Sequence, residues 1–241
     1  MATQTKGLCK YCGKEYTKAY MIKHLAKCKE RENRIAAETG TKKCGYFDIS
    51  ISGKYNAAYW VIIEIREDAT LKDLDSFLRD IWLECCGHLS AFNLCGESYE
   101  VVPHTDSYWG PPAKSMNYKL KSVLEKGMTF SYEYDFGSTT DLVIGVLDYR
   151  VSTWKKDKLT ILSRNKPIEF LCDACHEKTA TVICTECIYD GTGCLCDDCK
   201  KIHECGESMQ LCICNSPRMG VCGYEGSDKY PDQFIPDRND N

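Results

Sequence analysis

The sequence predicts an α+β fold: a β-grasp-like mixed sheet with one packed helix, flanked by a small ββα zinc finger and a C-terminal double-zinc module. Three observations carry this expectation. Between residues 44 and 165, strand-like runs and one amphipathic helix follow in the order strand, strand, helix, several strands. Cys9-x2-Cys12-x11-His24-x3-Cys28 stands before them. Eleven of the eighteen cysteines come after them, between Cys172 and Cys222, and most are paired two residues apart.

The first module is expected over residues 1–33. Two residues between Cys9 and Cys12 let both thiolates turn toward one ion, and His24 and Cys28 complete a tetrahedral shell. Gly13 suits the knuckle turn, and Tyr16, Met21 and Leu25 supply a small apolar core. The helix is expected over Tyr20–Lys29, with His24 and Cys28 one turn apart on one face. Residues 34–43 are polar and are expected to be a linker.

The middle domain is expected over residues 44–165. Lys43–Ser52 and Ala58–Arg66 are β-rich and joined by the turn-like Gly53-Lys54-Tyr55-Asn56. Trp60, Ile62 and Glu64 alternate with Val61, Ile63 and Ile65, so one strand face is apolar and the other mixed. Thr70 and Asp73 form an approximate capping box. Leu71, Leu74, Phe77, Leu78, Ile81 and Trp82 then make a stripe through Leu71–Cys86, which Gly87 ends. Leu89–Leu94, Thr129–Tyr134, Asp141–Tyr149 and Lys158–Ser163 read as further strands, and Val101–Ser115 as a long loop. With its own strands and stripe, this domain is expected to fold without metal, unlike its small neighbours.

The C-terminal module is expected over residues 168–224. Cys172-x2-Cys175, Cys184-x2-Cys187 and Cys196-x2-Cys199 are each separated by eight residues, and His203-x-Cys205 follows. Four pairs make two closed sites. Sequential pairing would join Cys172, Cys175, Cys184 and Cys187, leaving Cys196, Cys199, His203 and Cys205. Interleaved pairing would join Cys172, Cys175, Cys196 and Cys199, with Cys184, Cys187, His203 and Cys205 on the second ion. Interleaving is favoured, because a module with little core gains from sites that tie both halves together. Three zinc ions per chain are expected. Cys194, Cys212, Cys214 and Cys222 have no assigned role, and residues 225–241 read as a flexible tail.

Met1–Lys18 lacks the basic, apolar and small-residue series of an export signal. No apolar run approaches the roughly eighteen residues of a membrane span, so no membrane contact is expected. A reducing cytoplasm would keep the thiols free for metal, where Cys-x2-Cys pairs read as zinc knuckles rather than disulfides. An iron–sulfur cluster suits His203 and the regular pairing less well. The net charge of −4 hides an asymmetry: residues 1–43 hold eleven Lys and Arg against four Asp and Glu, or +7, and the remainder carries −11. The basic end is expected to meet nucleic acid through Lys18, Lys23, Lys27 and Arg31. A protein partner is expected at the C-terminal module.

Several middle segments resemble a known family. These are Thr70-Leu-Lys-Asp-Leu74, His88-Leu-Ser-Ala-Phe92, Tyr132-Glu-Tyr-Asp-Phe-Gly137 and the strand from Asp141-Leu-Val-Ile144. The resemblance is to the plasmid pRiA ORF-three-like family, some of whose members are labelled passenger-resolvase-like proteins of insertion elements. Asn215-Ser-Pro-Arg-Met-Gly-Val-Cys-Gly-Tyr224 is similar to an ending that some larger members share. The resemblance implies a compact α+β fold and association with mobile elements, but no activity. No serine-recombinase pattern is present.

Catalytic patterns are weak. Cys85-Cys86-Gly87-His88 offers a thiol and an imidazole at a helix end, where neighbours rarely face each other. His104, Asp106, Asp135, Asp141 and Asp148 could converge on a divalent ion, though their spacing has no pattern. Tyr108 and Trp109 with nearby prolines suggest an aromatic platform. Walker, dinucleotide, nucleophile-elbow and zinc-protease motifs are missing. The expected function is therefore a zinc-binding macromolecular-recognition adaptor. The alternatives are a metal-dependent enzyme, such as a nuclease or recombination accessory using middle-domain carboxylates, and a pure protein-interaction scaffold.

Overall fold

The computed structural model describes residues 4–104 and 112–237. Residues 105–111 of the expected Val101–Ser115 loop, with Asp106, Tyr108 and Trp109, lie outside the described residues. The chain divides into two compact units, one of residues 1–77, 89–166 and 234–241, the other of residues 78–88 and 167–233.

The first unit begins with a hairpin, β1 (Lys6–Leu8) against β2 (Glu15–Thr17), followed by α1 (Lys18–Leu25) and α2 (Lys29–Ala36). The expected single helix over Tyr20–Lys29 is thus two helices. The chain turns tightly at Ala26-Lys27, where Lys27 N–H bonds His24 C=O at 2.9 Å, and Cys28 caps α2. His24 and Cys28 therefore flank a helix break, and α2 occupies the start of the expected linker.

An eight-stranded sheet follows, in the order β10-β4-β3-β9-β8-β5-β6-β7. Its members are β3 (Lys43–Gly53), β4 (Trp60–Arg66), β5 (Ser90–Leu94), β6 (Glu97–Glu100), β7 (Lys114–Ser115), β8 (Thr129–Tyr134), β9 (Thr140–Thr153) and β10 (Leu159–Arg164). Among the described residues, only β6 and β7 pair in parallel, which makes the sheet mixed. The short β6 and β7 were not anticipated, because Ser98 to Glu100 and Lys114-Ser115 carry too few alternating apolar residues to signal strands.

Helix α3 (Leu71–Leu78) opens with a complete capping box: Thr70 N–H donates to Asp73 Oδ2 at 2.8 Å, and Asp73 N–H to Thr70 Oγ1 at 3.1 Å. Leu71, Leu74 and Phe77 are buried. Asp75 fastens this helix to the sheet, since Ser90 Oγ and Tyr132 OH donate to its Oδ1 at 2.6 and 2.7 Å. The helix continues as a π-turn over Arg79–Leu83 and stops before Cys86.

The hairpin and helices of the N-terminus lie on the sheet. Every residue of β4 is buried, including Trp60, Ile62 and Glu64 on the face expected to be mixed. Trp60, Ile62 and Leu162 join one apolar cluster with Cys9, Tyr11, Met21, Leu25 and Cys28. Backbone bonds run beside this cluster, from Lys10 N–H to Leu162 C=O at 2.9 Å and from Lys166 N–H to Lys6 C=O at 2.8 Å. A side chain at Gly7 would run into the Arg164 carbonyl and, at 2.7 Å, the Trp60 ring, so this approach requires glycine.

In the second unit, β11 (Val182–Cys184) lies between β12 (Cys194–Leu195) and β13 (Gln210–Cys212) in an antiparallel sheet. Within the same unit the segment after β13 caps the helix end. Ser216 Oγ donates to the Trp82 carbonyl at 2.7 Å, Tyr224 OH to that of Ile81 at 3.5 Å, and Ser227 Oγ to that of Asp80. Helix termini leave such carbonyls unpaired, so this segment has a structural role. Residues 225–237, expected to fray, are ordered by these and like contacts: Lys229 pairs with Asp80 at 2.7 Å in this unit, and Asp237 with Lys10 at 2.7 Å in the first. No helix among the described residues is long and apolar enough to cross a membrane.

Candidate metal centres

Four groups of cysteine and histidine, each with ligand atoms within 4.8 Å of one another, can hold a metal ion. Bonds of about 2.3 Å to sulfur and about 2.0 Å to nitrogen at tetrahedral angles place sulfurs about 3.8 Å apart and sulfur and nitrogen about 3.5 Å apart. The groups are judged against those edges.

In the first group, the β1–β2 hairpin presents Cys9 and Cys12, with Gly13 at φ +67° closing the knuckle by donating to Cys9 C=O at 2.9 Å. Cys9 Sγ lies 4.0 Å from Cys28 Sγ, and Cys12 Sγ 3.2 Å from His24 Nε2. Tyr16 packs over the His24 ring at 4.7 Å. Burial, with Lys14 nearby, holds His24 below its ordinary value and so keeps a nitrogen lone pair free for an ion. Burial also pushes the Cys9 thiol up to about 12, which a bound cation would have to reverse.

The second and third groups are crossed along the chain. Cys172, Cys175, Cys196 and Cys199 form one, and Cys184, Cys187, His203 and Cys205 the other. Strand β11 explains the crossing: it runs between the first and second knuckles, while its neighbour β12 leads into the third. His176 and Lys200 N–H groups bond the carbonyls of Cys172 and Cys196 at 2.8 and 3.0 Å, repeating the knuckle turn at Gly13. Cys175 and Cys196 sulfurs are 4.0 Å apart. Cys187 Sγ lies 3.5 Å from His203 Nε2 and 3.7 Å from Cys205 Sγ. Burial raises Cys172, but backbone N–H groups of Cys175, Cys196 and Ala174 outweigh it and bring the thiol to about 6. The same contest, with His203 assisting, brings Cys184 to about 7.

The fourth group, Cys85, Cys86, His88 and Cys222, was not foreseen as a ligand set. Cys222 lies 134 residues from His88 and belongs to no knuckle. A signal existed nonetheless: both segments carry residues of the family resemblance. Cys194, Cys212 and Cys214 join no such group among the described residues.

The expected nucleic-acid contacts are placed very differently from one another. Lys23 and Lys27 are exposed, and Lys23 stands 5.8 Å from the Tyr20 ring centre. Lys18 donates to Ser52 Oγ at 2.8 Å, and burial lowers its pKa. Arg31 is buried, giving Asp48 two bonds of 2.6 and 2.7 Å and Glu64 one of 3.1 Å. Arg150 and Lys155 also reach Glu64, and Lys155 meets Glu38 at 2.7 Å, so three cations balance three carboxylates. Burial pushes Glu64 up, yet Arg150, Lys155 and Arg31 hold it below the usual range. The reading of Arg31 as a surface phosphate contact does not fit this placement: its charge is spent inside the fold.

Among the described residues, the candidate carboxylates join no shared group of ligand atoms. Asp141 pairs with Lys54 at 3.1 Å, Asp148 with Lys126 at 2.6 Å, and His104 with Glu100 at 3.0 Å, while Asp135 accepts the Gly137 N–H at 3.1 Å.

A search of curated proteins finds no match. Among solved structures, the chain is similar to a protein of unknown function, MM3350 from Methanosarcina mazei Go1. The identity is 19% over 50% of this chain and 68% of that one, with a TM-score of 0.40. The model of the family described as plasmid pRiA4b ORF-3-like protein matches residues 46–169, which takes in the large sheet from Tyr46 onward and ends just before Cys172. With more than half its length matched, this chain belongs to the plasmid pRiA4b ORF-3-like protein family.

Proposed function

We propose that the protein is a zinc-binding recognition adaptor of a reducing, cytoplasmic setting. The finger group and the two crossed groups would hold one zinc each. The observation that carries this reading is that all three are closed sets of four protein donors, with none of the open positions that hydrolytic zinc keeps. Metal in such sites shapes a surface and leaves chemistry aside. The scattered contacts of His104, Asp135, Asp141 and Asp148 give the enzyme alternative less support.

Phosphate contact is assigned to the outer face of the finger. Lys14, Lys27 and Lys29 line an open cleft of about 490 Å³ with Cys12, Tyr16 and His24, and Lys23 stands exposed on α1. Exposed Ile202 and Tyr189, in the crossed-site unit, favour a protein partner there. The test is a tagged pulldown of the full chain from nuclease-treated and untreated lysate, paired with elemental analysis. Fewer than two zinc ions per chain would sink the metal reading. Lack of nucleic acid from untreated lysate at low salt would leave the scaffold alternative.

A further inference from the structure

We infer that Cys85, Cys86, His88 and Cys222 form a fourth zinc site, one that ties the segment after β13 to the end of the α3 helix. Its geometry is that of a ligand shell. Cys86 Sγ lies 3.7 Å from Cys222 Sγ, and Cys222 Sγ 3.6 Å from His88 Nε2. These match the tetrahedral edges of about 3.8 and about 3.5 Å as well as the crossed groups do. They are far from the roughly 2.05 Å of a disulfide.

The loop carrying three of the ligands is built to hold them. Arg79 clamps it at both ends, pairing with Glu84 at 2.8 Å and donating to the His88 carbonyl at 2.7 Å. Glu84 Oε1 accepts the Gly87 N–H at 2.6 Å, which fixes the turn between Cys86 and His88. From the other side, Cys222 is held at φ +56°, a left-handed conformation that costs a cysteine energy and persists only where its surroundings impose it.

An electrostatic contact accompanies this geometry. Three thiolates, one neutral imidazole and Zn²⁺ carry a net −1. Arg218, wholly buried, donates from Nη2 to Cys85 Sγ at 3.5 Å. A guanidinium N–H beside a sulfur favours its thiolate form, the form that binds metal. Binding here displaces protons from the three thiols to solvent and changes no oxidation state.

The site differs from the other three in exposure, since Cys86 and Cys222 both reach the surface. Without metal, two such exposed thiols would be open to an alkylating agent. The test uses the full chain, reduced and zinc-loaded. Native mass spectrometry should give four zinc ions for the natural protein and three for Cys222→Ser and for His88→Asn. Peptide mapping after iodoacetamide should show Cys86 and Cys222 protected in the loaded natural protein and labelled after chelation, a readout that needs no variant to fold. A natural protein with three ions, or Cys86 and Cys222 labelled equally fast with and without zinc, overturns the fourth site and leaves the other three standing. A variant that keeps four ions overturns it as well.

Discussion

Arg31 in α2 meets Asp48 in β3 through two parallel bonds of 2.6 and 2.7 Å, inside the fold and beneath the finger. The pair joins the N-terminal helices to the sheet, with Glu64 as its second carboxylate. Removing one partner of a buried pair strands the other charge. Arg31→Met should therefore destabilise the first unit by about 3–5 kcal/mol. Urea unfolding would measure it; a loss below about 1 kcal/mol would mean that water reaches Asp48 and Glu64.

Gly7 sets how closely β1 can approach the Arg164 carbonyl and Trp60. Gly7→Ala should force these apart at a cost of about 1–3 kcal/mol, typical of an overfilled contact. Because Trp60 is 1% exposed in the intact fold, its fluorescence should shift to the red as the finger lifts. An unchanged emission maximum together with unchanged stability would contradict the contact.

The capping box at Thr70 should respond to acid. Burial raises Asp73, but Lys158 and the donors of Thr70 outweigh it and leave the carboxyl below its ordinary value. A depressed carboxylate stabilises the fold fully above its unfolded pKa of about 3.9, and that stabilisation fades as pH falls through the lower folded value. Asp73→Asn should cost roughly 1 kcal/mol at pH 7. The gap from the natural protein should close as pH falls through that lowered folded value, since the carboxyl is then protonated in both states. A gap that persists in acid would assign the effect to packing.

Salt should report on the finger's outer face. With four lysines, Lys14, Lys23, Lys27 and Lys29, available to phosphate, the log–log slope for duplex DNA should be about −3 to −4. Lys23→Glu and Lys27→Glu should each weaken binding and flatten the slope by about one unit. The Lys18→Gln substitution should leave the slope unaltered, since Lys18 is turned onto Ser52. Equal effects from Lys18 and Lys23 would mean that Lys18 leaves Ser52 when nucleic acid binds.

Local chemistry was legible in the sequence. The Cys-x2-Cys spacing marks knuckles because two intervening residues turn both sulfurs inward, and Thr70 and Asp73 announce their cap by spacing alone. The strands β3, β4, β8, β9 and β10 follow from alternation. What stayed hidden depended on long-range contact. The mixed face of β4 resembles a solvent-facing strand until the finger covers Trp60 and Ile62, and a run of basic residues does not reveal that Arg31 turns inward. Cys222 is separated by 134 residues from His88, so no local pattern links them.

The crossing of Cys172, Cys175, Cys196 and Cys199 with Cys184, Cys187, His203 and Cys205 has a consequence during synthesis. Neither shell can be completed until the chain has emerged as far as Cys199, and the second only at Cys205. An ion captured early by Cys172 and Cys175 has just two thiolates and can still be lost. Loss of either ion later would free loops that hold the other in place. Scarcity of metal should therefore divide the population into chains with both crossed sites filled and chains with both empty, and chains holding a single ion there should be rare.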